Sequence, residues 1–538
     1  MAGERIPARV GQSSFDGGLN LQRDDYSDGL ESSLRAAENA RLTVFGRVQR
    51  RRGTTRMHTA ALPAAVQGLL TLTRPGESLR LLAVSGGNLY VHTGDPVAPL
   101  NWVVATKTGG LVINSAATAP VVSMVAFRDG GAMDVVYLAD GSGLLKYNPS
   151  ASPQLTRVTG SPVAVSYVWS YNNRLLGVTG LSEKLYASEL GNGDSLGQPA
   201  GVTANVRTYG DGVLTAGVTQ GGRAVLFHET GISAFTGVGL GDIAISSGTQ
   251  GVTAVDGTRA PRSVTLAEQD VYFWSTDRGP CKLSANGAVE TVGLQIRPLY
   301  ERLSKQITSG VVAINAPREY EVWWFVPTIG VLIYNYALNA WSGPWNGGYL
   351  TDAPTVFLPA ATDTDTSQFM LYGTQSGWVL TADTENVFVD NAAYTVDAPV
   401  GEGYETIITT AIKLWAGGLE HAAPLRVALV MARRGSFLGT LTVAGWRDQE
   451  LLQLFSGTQY VAQAVLANGS PIRWDVPGTT WDSGGAFDQS DVDVVYRRLG
   501  VGLSGPWVQV TFRDMGPGDS YITRITVEGV LLGRKGDL

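Results

Sequence analysis

Seven times between residues 79 and 383 the chain repeats one small unit: an apolar run, a glycine-containing turn, and a second run of alternating polarity. The units are LRLLAVSGGNLYVHTGD (79–95), MDVVYLADGSGLLKYNPS (133–150), NRLLGVTGLSEKLYASELGNGD (173–194) and RAVLFHETGISAFTGV (223–238). They continue with QDVYFWSTDRGPCKLSANGAV (269–289), YEVWWFVPTIGVLIYNYALNAW (320–341) and SQFMLYGTQSGWVLTAD (367–383). Their turn glycines, Gly87, Gly143, Gly180, Gly231, Gly279, Gly330 and Gly377, are spaced by 56, 37, 51, 48, 51 and 47 residues. A hairpin recurring every ~40 to 50 residues is the sequence form of a propeller blade. One such unit cannot bury its faces alone, so neighbours must stack around an axis. The expected fold is therefore all-β, with a β-propeller of about seven blades over 66–385. A β-sandwich with fortuitous hairpins is the competing expectation.

Composition agrees with a turn-dense β chain. The sequence holds 67 glycines among 538 residues and only 16% charged residues, against typical levels of about 7% and 25%. Tight turns need residues that tolerate positive φ, and glycine does so most cheaply. The net charge of -7 argues against a dedicated nucleic-acid binder, which would be basic. A single cysteine, Cys281, excludes an intramolecular disulfide and a Cys-cluster zinc site. The first thirty residues show no apolar h-region of a signal peptide, and no apolar run is long enough to span a membrane.

Residues 1–65 read as an N-terminal arm and assembly segment, of which 15–53 is expected to cross to another subdomain or subunit. Within it, Leu30, Leu34 and Ala37 fall at helical spacing over 28–41, with Ser27 or Asp28 as N-cap. A second helix is expected over 296–307, where Ile296, Leu299, Leu303 and Ile307 line one face and Pro298 suits the first turn. After residue 383 the repeat loosens. WVQVTFRD alternates Val508, Val510 and Phe512 against Gln509 and Thr511, and 395–538 reads as a second β domain, a sandwich or jelly-roll. Its stretch 455–500 reads as a long loop.

Residues suited to chemistry are sparse. His58, His92, His228 and His421 are scattered, and no metal-binding spacing links them. Cys281 has no histidine near it and reads as a buried structural thiol. Gly237, Gly239 and Gly241 mimic a phosphate loop without its helix or Lys-Ser/Thr end. The loop at Asp363, Asp365 and Ser367 lacks the glycine and final glutamate of a calcium site. No catalytic, cofactor-binding or metal residue is assigned, and the expectation is a protein that is not an enzyme. Trp323, Trp324, Phe325, Trp341 and Trp345 suit blade cores better than a glycan platform. The densest charge feature is Arg47, Arg50, Arg51, Arg52 and Arg56. These are candidate assembly contacts for DNA phosphates or an acidic neighbouring ring, or else paired arginines of one strand beside Asp24 and Glu38.

The order of short motifs resembles the tail hub or nozzle β-propeller proteins of short-tailed bacteriophages. Their opening is matched by Phe15, Gly17, Gly18, Leu19, Asn20, Asn39, Gly46, Val48 and Gly53. Later matches are Asn173, Arg174 and Leu175 with Ser188, Gly193 and Asp194; then Phe227, Gly231 and Ile232 with Gly248, Thr249, Gln250 and Gly251. Tyr272, Phe273, Ser275 and Gly279 precede Ile296, Arg297 and Leu299, and Tyr334 and Asn335 precede Trp341 and Ser342. The resemblance spans 15 to about 385. It implies a structural virion protein, made in the bacterial host cytoplasm and located in the tail. It would be a homo-oligomeric ring, a hexamer, that continues the DNA-ejection channel below the portal and adaptor. Its expected partners are itself, the portal or adaptor proteins and distal needle, tip or fibre proteins, with genomic DNA in transient passage and no cofactor. The alternative class is a surface glycan-binding or glycan-cleaving propeller.

Overall fold

A computed structural model describes most of residues 7–410, leaving aside 13–14, 22–31, 44, 97–98, 115–121, 131–132, 163, 198–201, 206–211, 238–248, 254–255, 361–368, 384–388, 391 and 393–401. Beyond 410 it describes the strands at 413–414, 420–434, 439–446, 459–462, 492–498, 507–514 and 519–534. The aspartate loop at 363–367, Gly239, Gly241 and most of 455–500 lie outside the described residues.

Six four-stranded antiparallel sheets stand alone, five of them spanning 66–104, 123–157, 167–205, 214–253 and 265–291. A further four-strand unit over 312–345 follows, and the last blade occupies 354–382. The first strand of each unit touches the first strand of the next, and Pro354–Ala360 returns to Val66–Leu72. The ring is thus closed, which removes the exposed edges an open sheet would carry. Each of the seven turn glycines falls in or beside the hairpin between the second and third strands of its blade. One spacing rule therefore located one equivalent position in every blade.

Alternation explains why the second strands are apolar on both sides. In Arg80–Ser85, Leu82 and Val84 pack toward the second blade, while Leu81 and Ala83 pack toward the last. Trp323 and Phe325 likewise face the last blade, and Val322, Trp324 and Val326 face the fifth. A strand covered on both faces needs no polar side, so it reads as a continuous apolar run.

The last blade takes its fourth strand from before the first repeat: Arg56 pairs with Leu380 and Thr55 with Thr381. The propeller thus draws on residues ahead of the expected boundary at 66. The remaining N-terminal residues belong to a second β region that both chain ends build together. Pro7–Gln12 pairs with Asp519–Arg534, which also pairs with Glu420–Arg434 and with Val48–Arg50. A second sheet continues out of the sixth blade, from Ala340–Trp345 through Ser33–Glu38, Thr406–Thr410 and Trp507–Asp514 to Gly439–Trp446. The described N-terminal strands thus cross from the propeller into this second β region.

Two helix expectations change. Ser33–Glu38, inside the expected helix over 28–41, is a strand between the sixth blade and Thr406–Thr410. A register shift between Leu34 and Ala36 breaks its alternation. The i, i+3 spacing of Leu34 and Ala37, both buried, imitates a helix for that reason. Over 296–307 the chain forms two one-turn helices, Arg297–Tyr300 and Lys305–Thr308, the second capped by Ser304 accepting from the Ile307 amide.

Candidate functional site

The arginine-rich segment makes most of its contacts inward. Arg50 and Arg51 are almost wholly buried, so neither offers a surface contact to DNA or another ring; for these two the assembly expectation is corrected. Arg51 uses all five of its N–H donors. Nη1 and Nη2 reach the two carboxylate oxygens of Asp390 at 2.7 and 2.5 Å. Nε donates to Asn39 Oδ1 at 2.9 Å, and the remaining donors reach the carbonyls of Arg52 and Asn346. Its guanidinium lies 3.6 Å from the centre of the Tyr404 ring. Burial opposes the charge, and Asp390 more than offsets this, so Arg51 is held above its usual value. Arg50 donates to the Tyr404 carbonyl.

Arg41, which the sequence did not single out, does the same work one strand earlier. It donates to both oxygens of Glu321 at 2.8 and 2.9 Å and to Asp383 at 2.5 Å. Glu321 also accepts from the Trp323 indole. The partners lie hundreds of residues away, so no local pattern could have shown them. Arg52 is half-buried, its amide bonded to Asp383, and Arg56 stacks over Trp378 at 4.3 Å. Of the five candidates, Arg47 alone is exposed, on the hairpin tip beside Phe45, which is 81% exposed.

Asn39 ties the three parts together. Its backbone adopts φ +50°, a left-handed geometry that asparagine tolerates better than most residues. Its amide nitrogen donates to Asn346 Oδ1 in the sixth blade and to the Glu405 carbonyl in the second β region. Its side-chain oxygen accepts from Arg51 and from the Asn346 amide. Gly18 adopts φ +59° under the outer strand of the sixth blade, where a Cβ would sit 2.7 Å from the Trp341 carbonyl. Leu19 follows it into the core beneath that blade.

The motif at Gly193 and Asp194 locks the third blade to the second. Asp194 accepts from the Tyr137 hydroxyl at 2.8 Å and from Lys146 at 2.7 Å, and Lys146 also meets Asp129. Gly193 leaves room for the Tyr137 ring, 2.4 Å from where a Cβ would stand.

The four tryptophans of the sixth blade offer no platform. Trp323, Trp324, Trp341 and Trp345 are buried; Trp324 stacks on Trp341 at 5.4 Å, and Trp345 donates to the Ala40 carbonyl. His58 is buried, bonded to the Ala60 carbonyl and accepting from the Val379 amide at 2.8 Å. His228 is buried beside Ser233 and His92 lies near Asn101, while the side chain of His421 lies outside the described residues. Cys281 is buried, and burial pushes its thiol up to about 12. No group of three metal-ligating side chains occurs among the described residues.

A cavity of about 760 Å³ opens where the first strands of the blades converge. Leu69, Met124, Tyr167, Thr215, Val312 and Phe357 line it from the first strands of six blades, and Arg262 enters from the turn before the fifth. Lys305 and Gln306, on the short helix before the sixth blade, line it as well.

No family model matches the chain, and no curated protein matches its sequence. Similar solved structures include the extracellular domain of a one-component system from B. thetaiotaomicron, with TM-score 0.41 and 11% identity, covering 61% of this chain and 40% of that one. A streptogramin B lyase gives TM-score 0.41 and 7% identity over 62% and 97% of the two chains. The computationally designed Ika8 protein gives 0.35 and 8% over 62% and 99%. The chain thus spans less than half the length of the first of these.

Proposed function

We propose that this chain is a structural protein of a tailed-phage virion, a tail hub or nozzle subunit that assembles into a ring around the DNA-ejection path. The observation that carries the reading is the use the fold makes of the phage-like opening motif. Gly18, Leu19 and Asn39 of that motif, with Arg51 two residues ahead of its Gly53, lie at the junction where the N-terminal segment fastens propeller to second β region. A motif that serves as a clasp suits a chain whose task is to hold a shape under load. The Gly193–Asp194 turn motif serves in the same way between the second and third blades.

In this reading the partners are further copies of the chain, the portal or adaptor proteins above and needle, tip or fibre proteins below. The exposed hairpin tip with Phe45 and Arg47 is the candidate contact. A net charge of -7 per copy gives a wall along which DNA moves without being held, since every phosphate neutralised would add affinity. Duplex DNA mixed with the protein at physiological salt should show no retention in a mobility-shift assay. Tight, salt-sensitive binding would overturn the conduit.

A further inference from the structure

We propose that the cavity between the first strands of the blades binds a small oxyanion, a phosphate or carboxylate group carried by a small molecule, on the Arg262 guanidinium with the Tyr167 hydroxyl as second donor. Three cations line this cavity, and two of them are already matched. Arg259 meets Glu229 at 3.3 Å and Lys305 meets Asp277 at 3.0 Å. Arg262 differs from both. Its Nη1 faces the Thr355 carbonyl of the last blade, and no carboxylate among the described residues pairs with it. Its other N–H groups are left for whatever fills the cavity.

Burying a guanidinium without a counter-charge is costly, and chains ordinarily neutralise it with a carboxylate. Arg262 is half-buried at the cavity wall, and desolvation with no carboxylate beside it holds its guanidinium below its usual value. A planar fork held at one nitrogen and open at the others suits two-pronged recognition of a carboxylate or phosphate. Tyr167 lines the same cavity from the third blade, and its hydroxyl has no hydrogen-bond partner among the described residues. The apolar walls from Leu69, Met124, Val312 and Phe357 lower the local dielectric and strengthen any charge pairing within. A cavity of about 760 Å³ has room for a metabolite-sized anion. This assignment stands whether or not the chain forms a tail ring.

Calorimetric titration of the full chain with inorganic phosphate, and separately with citrate, tests it at an ionic strength fixed with chloride. Saturable one-site binding of at least one probe is expected. Phosphate alone would assign a phosphoryl ligand, citrate alone a carboxylate, and both an oxyanion of either kind. Arg262→Met should weaken binding by about tenfold or more and Tyr167→Phe by roughly threefold, as loss of a charge-assisted bond predicts. Arg128→Gln, on the exposed face of the second blade and away from the cavity, should leave binding of both probes unchanged. Should Arg262→Met fail to fold, protection of Arg262 from phenylglyoxal by the bound probe, read by mass spectrometry, replaces it. Saturable binding of neither probe, full affinity in Arg262→Met, or no protection would overturn the site.

Discussion

Arg51 and Asp390 stand 339 residues apart in sequence, yet they form a two-pronged ion pair at 2.7 and 2.5 Å with neither side chain touching solvent. The pair joins the segment ahead of the propeller to the chain just beyond its last blade. Because both charges are fully desolvated, removing one leaves the other stranded. Arg51→Met or Asp390→Ala should therefore cost about 3–5 kcal/mol in urea unfolding, the usual result of breaking a buried pair on one side. Arg51→Lys should not restore the loss, since an ammonium cannot reach Asp390, Asn39 and Asn346 together. An unchanged unfolding midpoint in all three would contradict the clasp.

Asn39 tests the same junction from the backbone. Asn39→Ala removes the bonds to Asn346, Glu405 and Arg51 at once and places alanine at a positive φ. Each buried group left unsatisfied costs about 1–3 kcal/mol. Limited proteolysis should then cut between the last blade and Thr406 well before it cuts the wild type. Equal cleavage rates would show that the junction does not depend on this residue.

The propeller was legible in sequence because its signal is local and repeated. A glycine turn between two apolar runs can be read without knowing what packs on it, and all seven turn glycines mark equivalent hairpins. The junction was not legible. Arg41 needs Glu321 and Asp383, and Arg51 needs Asp390. Their charges read as a surface cluster only because the compensating carboxylates lie so far along the chain. Ser33–Glu38 was misread for a related reason: a bulge shifted its apolar spacing, and its pairing partners at 343 and 407–410 supplied the strand.

Stability should fall on mild acidification. Burial lowers the His58 imidazole below its usual 6.5, with nearby Arg56 acting the same way and the Ala60 carbonyl opposing. His228 is lowered by burial too. Below the unfolded value the unfolded chain takes protons that the folded one refuses. The stabilisation is thus complete above about pH 6.5 and declines as pH drops toward the folded values. Protonated His58 could no longer accept from the Val379 amide. Urea midpoints measured from pH 7.5 to 5.5 should decline, and His58→Gln should flatten the decline. A midpoint that rises on acidification would contradict this.

Gly193→Ala should loosen the second blade from the third. The added methyl would meet the Tyr137 ring at 2.4 Å, and overpacking of this kind costs about 1–3 kcal/mol. Thermal unfolding reads the loss, and Tyr137→Phe in the same background should not relieve it, because the ring itself is the obstacle.

Cys281 should be silent in the native state. Its thiol is buried, and burial pushes it up to about 12, so little thiolate exists near neutral pH. A thiol reagent at pH 8 should label it only after denaturation. Fast native labelling would mean that the fifth blade opens readily.

Electron microscopy of the purified chain, alone and on tail-assembled particles, addresses the central claim most directly. The account predicts closed rings, hexameric by resemblance to tail nozzles, with the Phe45 and Arg47 hairpin at a contact between copies or rings. A strict monomer under both conditions would contradict it.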